Sequence, residues 1–177
     1  MPDLLHHLHF FRATTGGHSE IPPETFRLAT TPTQLPPMPK ALVPFRDIHA
    51  SRFAEGHAAV LGESNGTLAF IAWLAFGTLR IDELARTWHI PERSAVLYDV
   101  NTMPEHRGRG LYTSALRWVL GTLAGMNVSR CWIYAEQSNT ASLRGIAKAG
   151  FAHIGSMRSF RIGNCALRLG RVAESGL

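Results

Sequence analysis

"PEHRGRGLYTSAL", residues 104–116, sets Gly108 and Gly110 between and beside two arginines, directly before an apolar helical pattern. A strand that feeds such a turn into a helix gathers unpaired N–H groups and the positive end of the helix dipole around one point. That geometry suits an oxyanion. Glycine at 108 and 110 lets the backbone come close where a Cβ would intrude, and Arg107 and Arg109 can add charge-assisted contacts to phosphate. Gly108-x-Gly110-x-x-Thr113 nearly matches a dinucleotide fingerprint, yet no acid stands near residue 130 to take the ribose. The G-K-[ST] of a nucleotide-hydrolysing P-loop is absent. By itself the motif is also compatible with a turn that only closes a helix.

Working outward, "SAVLYDVNT", 94–102, has the β-branched and aromatic content of a strand. After the turn, Leu111, Ala115, Leu116, Val119, Leu120, Leu123 and Ala124 share one helical face, and Gly125 is placed to end that helix. "RCWIYAE", 130–136, is a buried-type strand. "NTASLRGIAKAG" is a second helix, with Asn139 as N-cap and Gly150 as its stop. Two strand-like runs, "FAHIGSMRSFRI" and "CALRLGRV", then meet at Gly163-Asn164 in a hairpin.

On the N-terminal side, Asn65-Gly66 joins the two apolar runs of "HAAVLGESNGTLAFIAWLAF" in a tight hairpin. "RDIHASRFAEG", 46–56, suits a short helix, and "IDELARTWHI" reads as a helical excursion ended by Pro91. Seven of the ten prolines lie between Pro22 and Pro44, so that stretch reads as a peripheral wrap holding at most one short strand, around Phe26–Ala29. The pattern predicts one domain, 1–177, of the α/β (α+β) class with a mixed sheet.

The chain has 177 residues, 45% hydrophobic and 18% charged, with ordinary globular composition and no apolar run of the ~20 residues that cross a bilayer. The N-terminus lacks a secretion-signal pattern, so a cytoplasmic location is expected. Cys131 and Cys165 are too few for a disulfide framework and lack zinc spacing. A net charge of +5 favours an anionic partner without choosing among nucleic acid, lipid headgroup and phosphorylated small molecule.

The pair P-E-H-R-G-R-G-L-Y-x-x-A-L and N-T-A-S-L-R-G-I-A-K-A-G-F resembles the two hallmark segments of the GNAT superfamily of acyl-CoA-dependent N-acetyltransferases. The likeness covers 56–170, and its second segment is closest to the branch that acetylates protein N-termini and antibiotics. Residues 1–55 match nothing in it and stand as an atypical Pro-rich N-terminal arm. The resemblance implies a twisted, mostly antiparallel sheet with helices on both faces. Its two central strands, 94–102 and 130–136, would splay to admit a pantetheine arm. It implies that backbone near Val100, Asn101 and Thr102 holds that arm. The coenzyme A pyrophosphate would sit on the N–H groups of Arg107, Gly108, Arg109, Gly110, Leu111 and Tyr112. Asn139 and Ser142 would touch the pantetheine or phosphate region. Two departures stand out: Tyr112 replaces a small residue of the loop, so its ring must turn away from the phosphates or narrow their berth. Ile146 occupies the position where many members carry a tyrosine that reprotonates the leaving thiolate.

The implied reaction is direct transfer of acetyl from acetyl-CoA to a primary amine of a small molecule or peptide, with no metal. It needs a deprotonated amine, a polarised thioester carbonyl and a place for the thiolate charge. By the resemblance, Asp99, five residues before the loop proline, is the first candidate base. Glu136, at the end of its strand, is the reserve; either could equally be a salt-bridge partner. Tyr98, Tyr112 and Tyr134 could each give a phenolic proton, and alternation does not say which enters the cleft. Asp82 and Glu83 would attract a cationic acceptor or merely start a helix, and Trp73 and Trp88 read as packing. His6, His7 and His9 could chelate a metal but have no cysteine pair or carboxylate close in sequence. Arg158, Arg161, Arg168 and Arg171 suit a solvated edge or a phosphate site more than nucleic acid. The partners expected are thus acetyl-CoA and an unidentified amine acceptor, with no nucleic acid and no membrane; oligomeric state stays open, a homodimer included. The alternatives are a longer acyl-CoA or carrier-protein thioester as donor, a non-catalytic acyl-CoA sensor, and a basic nucleic-acid-binding protein.

Overall fold

The computed structural model describes residues 5–16, 25–37, 39, 46–162 and 165–172. Their strands are β1 (Leu5–Thr14), β2 (Thr25–Ala29), β3 (Ala58–Ser64), β4 (Thr67–Ala75), β5 (Thr78–Ile81), β6 (Arg86–His89), β7 (Ser94–Thr102), β8 (Arg130–Glu136), β9 (Ala152–Ile162) and β10 (Cys165–Val172). The helices are α1 (Arg46–Ala54), α2 (Leu111–Gly125) and α3 (Thr140–Lys148). Eight strands form one sheet in the order β10-β9-β1-β8-β7-β4-β3-β2, and β5 pairs β6 separately. Only β7 and β8 run parallel; every other pair is antiparallel. No helix among the described residues is long and apolar enough to cross a membrane.

Both sheet faces are covered, which is why β4 reads as an almost unbroken apolar run. Val60, Leu97 and Ile133 point to one face and meet the stripe of α2 formed by Ala115, Leu116, Val119 and Leu123. Their neighbours Leu61, Val96 and Trp132 point to the other, under Phe53 of α1 and the β5–β6 hairpin. Between β3 and β4, Asn65 and Gly66 both take positive φ, 51° and 74°, as a tight hairpin of matching twist requires. Cys131 is fully enclosed in the α2-side core, where burial pushes its thiol up to about 12, so it is a packing group rather than a nucleophile. The side chain of Cys165 and the Gly163-Asn164 turn lie outside the described residues.

Two local expectations are corrected. Residues 1–55 were set apart as an arm, yet β1 is an interior strand between β8 and β9, with Leu8 and Phe10 wholly buried. "IDELARTWHI" is not helical beyond the 3₁₀ turn Asp82–Leu84; Ala85 enters the left-handed region at φ 47° and the chain returns as β6. Ile81, Leu84 and Trp88 have helical spacing, but their burial against the sheet fixes the hairpin instead. By contrast β2, α1, β3, β4, β7, β8, α2, α3, β9 and β10 stand where the sequence patterns put them. Trp73 and Trp88 are core residues.

The β9–β10 pair depends on two glycines. Gly170 has φ +119°, and a Cβ there would lie 2.2 Å from the Ser156 carbonyl oxygen; at Gly155, φ +148°, it would lie 2.3 Å from that of Arg171. Backbone cannot yield as a side chain can. Gly170→Ala should therefore cost about 2–3 kcal/mol and lower Tm by about 4–12 °C in a thermal melt. An unchanged Tm would contradict this close approach.

Candidate active site

β7 and β8 pair only from Ser94↔Arg130 to Leu97↔Ile133. Beyond that point β7 bulges. Trp73 of β4 stands opposite Tyr98 and Ile71 opposite Asn101, so Asp99 and Val100 share one position on the partner strand, with Asp99 at φ 47°. On its other edge β8 stays paired to β1 as far as Leu8↔Glu136. The ends of β7 and β8 therefore part, leaving backbone groups of Val100–Thr102 along an open gap.

The turn after β7 begins at Met103, whose N–H bonds the Ala69 carbonyl at 2.9 Å. Arg107 Nε donates to the Thr102 carbonyl at 3.0 Å and ties the turn to its strand. Gly108 and Gly110 adopt φ of 76° and 81°, values that need glycine here. Gly110 is the N-cap of α2, and its carbonyl takes the first intrahelical bond, from Ser114 N–H at 3.1 Å. The N–H groups of Leu111, Tyr112 and Thr113 consequently have no acceptor within the helix, and all three residues line a groove of about 580 Å³. Across it lies the start of α3, where Asn139 Oδ1 accepts from Ser142 N–H at 3.1 Å.

Every residue expected to hold the acyl carrier lines this groove except Arg109, which is exposed outside it. His106, Arg144 and Lys148 also line it; Arg144 and Lys148 lie in the second quoted segment, but their approach to the first needed the tertiary fold. Thr102 Oγ1, in the groove wall, is buried without a hydrogen-bond partner. Free amides, cations and an orphaned hydroxyl together fit the diphosphate and amide arm of an acyl-CoA. The Tyr112 ring turns toward α3: a Cβ on Gly145 would meet its Cδ1 at 2.6 Å, so the absent side chain at 145 makes room for the ring.

The groove continues into a cleft of about 250 Å³ whose wall includes Glu83, Asp99, Tyr134 and Glu136. Asp99 Oδ2 accepts from Arg52 Nη1 at 2.7 Å and its Oδ1 from Asn101 Nδ2 at 3.0 Å. Arg52 also lies over the rings of Trp73 and Tyr98, each centroid 5.1 Å away. Glu136 is held by His6 Nδ1 at 2.7 Å and by the His7 backbone N–H at 3.1 Å. Both candidate bases thus have ionic or backbone partners, those of Glu136 coming from β1. Ile146 is fully buried.

The three tyrosines differ. His57 Nε2–H donates to the Thr78 carbonyl at 3.2 Å, so its Nδ1 accepts from Tyr98 Oη at 2.7 Å. That proton is engaged inside the core, and burial holds the Tyr98 phenol well above its usual value. Tyr134 packs on Phe10, ring centroids 5.6 Å apart, and its burial likewise raises it well above 10. Tyr112 is raised by burial, partly offset by a hydrogen bond with the Ser142 side chain.

His9 Nδ1 lies 3.0 Å from His153 Nε2, and burial together with His7 and His153 lowers its pKa. No group of three metal-ligating side chains occurs among the described residues. Arg168 donates to the Leu84 carbonyl at 3.2 Å rather than standing free along the edge.

Residues 24–151 match the Acetyltransferase (GNAT) family model. The chain belongs to the GNAT acetyltransferase family. Solved GNAT structures share its fold at low identity. One from Colwellia psychrerythraea is 14% identical with a TM-score of 0.57, over 84% of this chain and 53% of its own. A GNAT-family protein from Novosphingobium aromaticivorans is 19% identical with a TM-score of 0.54, over 87% and 62%. An IAA acetyltransferase from Bacillus cereus is 14% identical with a TM-score of 0.54, over 84% and 99%. This GNAT chain spans less than two thirds of the first two. No curated protein matches it.

Proposed function

We propose that the protein transfers acetyl from acetyl-CoA to a primary amine of a small molecule or peptide, without a covalent enzyme intermediate. One observation carries this reading: the groove over the free amides of α2 shares five lining residues with the cleft beside the parted ends of β7 and β8. Acetyl-CoA lies along it, diphosphate at Gly108–Thr113 and thioester at the junction. The acceptor enters the cleft, where Glu83, Asp99 and Glu136 favour a positively charged amine. Asp99 takes the ammonium proton as the amine attacks, with Glu136 as the alternative base; each oxygen keeps a lone pair beyond its present partner.

A panel of di- and polyamines, amino sugars and peptide N-termini, assayed for coenzyme A thiol release from acetyl-CoA, tests this. Release with at least one class is expected. Isothermal titration without acetyl-CoA binding at millimolar ligand would overturn the reading. A second reading, a non-catalytic acyl-CoA sensor, draws on Ile146 and on the paired state of both carboxylates; tight binding with no thiol release from acetyl-, longer acyl- or carrier-protein thioesters would favour it.

A further inference from the structure

Only five residues among those described line both the groove and the cleft: Val100, Asn101, Tyr112, Asn139 and Ser142. The reacting thioester must lie where these two spaces meet. At that junction Tyr112 brings the one phenol, because Tyr98 spends its proton on His57 in the core and Tyr134 lines the cleft alone. The ring is also held in place. Gly145 opens the space it fills, and Ser142 lines the same junction.

We infer that Tyr112 is the acid that protonates the departing thiolate, delivered from the first turn of α2. The two departures noted in the sequence then belong together. A phenol enters at 112 as a residue unable to give a proton stands at 146, and glycine at 145 makes the exchange sterically possible. In the step, the amine nitrogen forms the C–N bond, the C–S bond breaks with its electron pair going to sulfur, and sulfur takes the Tyr112 proton. Asp99, having passed the ammonium proton to solvent, takes the surplus proton on nitrogen, and the phenolate regains one from solvent. Amide and free thiol result. A phenol is protonated at neutral pH, as the role requires.

This inference rests on the acetyl-transfer reading, and its test separates the two. Tyr112→Phe keeps the ring on Gly145 and removes the proton. It should bind acetyl-CoA within about twofold of wild type by titration while kcat falls about 100-fold. With acetyl-selenocoenzyme A, whose selenolate is a weaker base and leaves unprotonated, the defect should shrink to about tenfold or less. An active wild type with an unimpaired Tyr112→Phe variant would overturn the assignment, as would equal loss with both donors, the mark of a merely structural residue. A wild type that binds acetyl-CoA but transfers from neither donor would remove the reading of the site and this inference with it.

Discussion

Gly110→Asp should leave the fold intact and weaken acetyl-CoA binding severely. The position has φ 81° with no atom within 4 Å of a built Cβ, and aspartate is among the few non-glycine residues that tolerate this region. Its carboxylate would stand before the N-terminus of α2, where the helix dipole offsets residual strain. There it occupies the seat assigned to the diphosphate and repels what remains of it. A Kd for acetyl-CoA raised about 100-fold or more, about 2.7 kcal/mol, is expected in titration, with Tm changed by only a few degrees. Unaltered affinity would place the phosphates elsewhere.

Asp99→Asn should lower kcat about 100-fold while acetyl-CoA binding holds, since the change removes a proton acceptor at the cleft and not a contact in the groove. Arg52, whose side chain is only 17% exposed, would lose its ion-pair partner but keep its place over Trp73 and Tyr98. A thermal melt therefore accompanies the kinetics. Glu136→Gln provides the contrast: its hydrogen bonds to β1 can persist through the amide, and the expected loss is below about tenfold. The reverse order would move the base role to Glu136.

The elements that could be read from the sequence are those whose signals are local. Asn65-Gly66, the stripe from Leu111 to Leu123, and Asn139 with Gly150 each encode a turn, a buried face or a helix boundary within a few residues. β1 could not be read so. Its place depends on pairing with β8 and β9, from Leu8↔Glu136 to Arg12↔Ala152, and nothing near residue 8 encodes partners so distant. "IDELARTWHI" failed for the opposite reason, a true helical spacing overruled by what the residues pack against. In the site, the groove residues were legible because a phosphate turn is a continuous motif, and only Arg109 of that set stands apart. The pairing of Asp99 with Arg52 was not, because the β7 bulge breaks the alternation from which side-chain direction is read. The fit of Tyr112 over Gly145 likewise joins two helices whose contact no local pattern announces.

Amide resonances of the isotopically labelled protein, followed as acetyl-CoA is added, report most directly on whether the mouth of α2 grips the carrier. The account predicts that Gly108, Gly110, Leu111 and Tyr112 show the largest shifts and gain protection from exchange, with Val100–Thr102 following along the parted strand. Saturable binding that leaves those amides unmoved while perturbing another surface would contradict it.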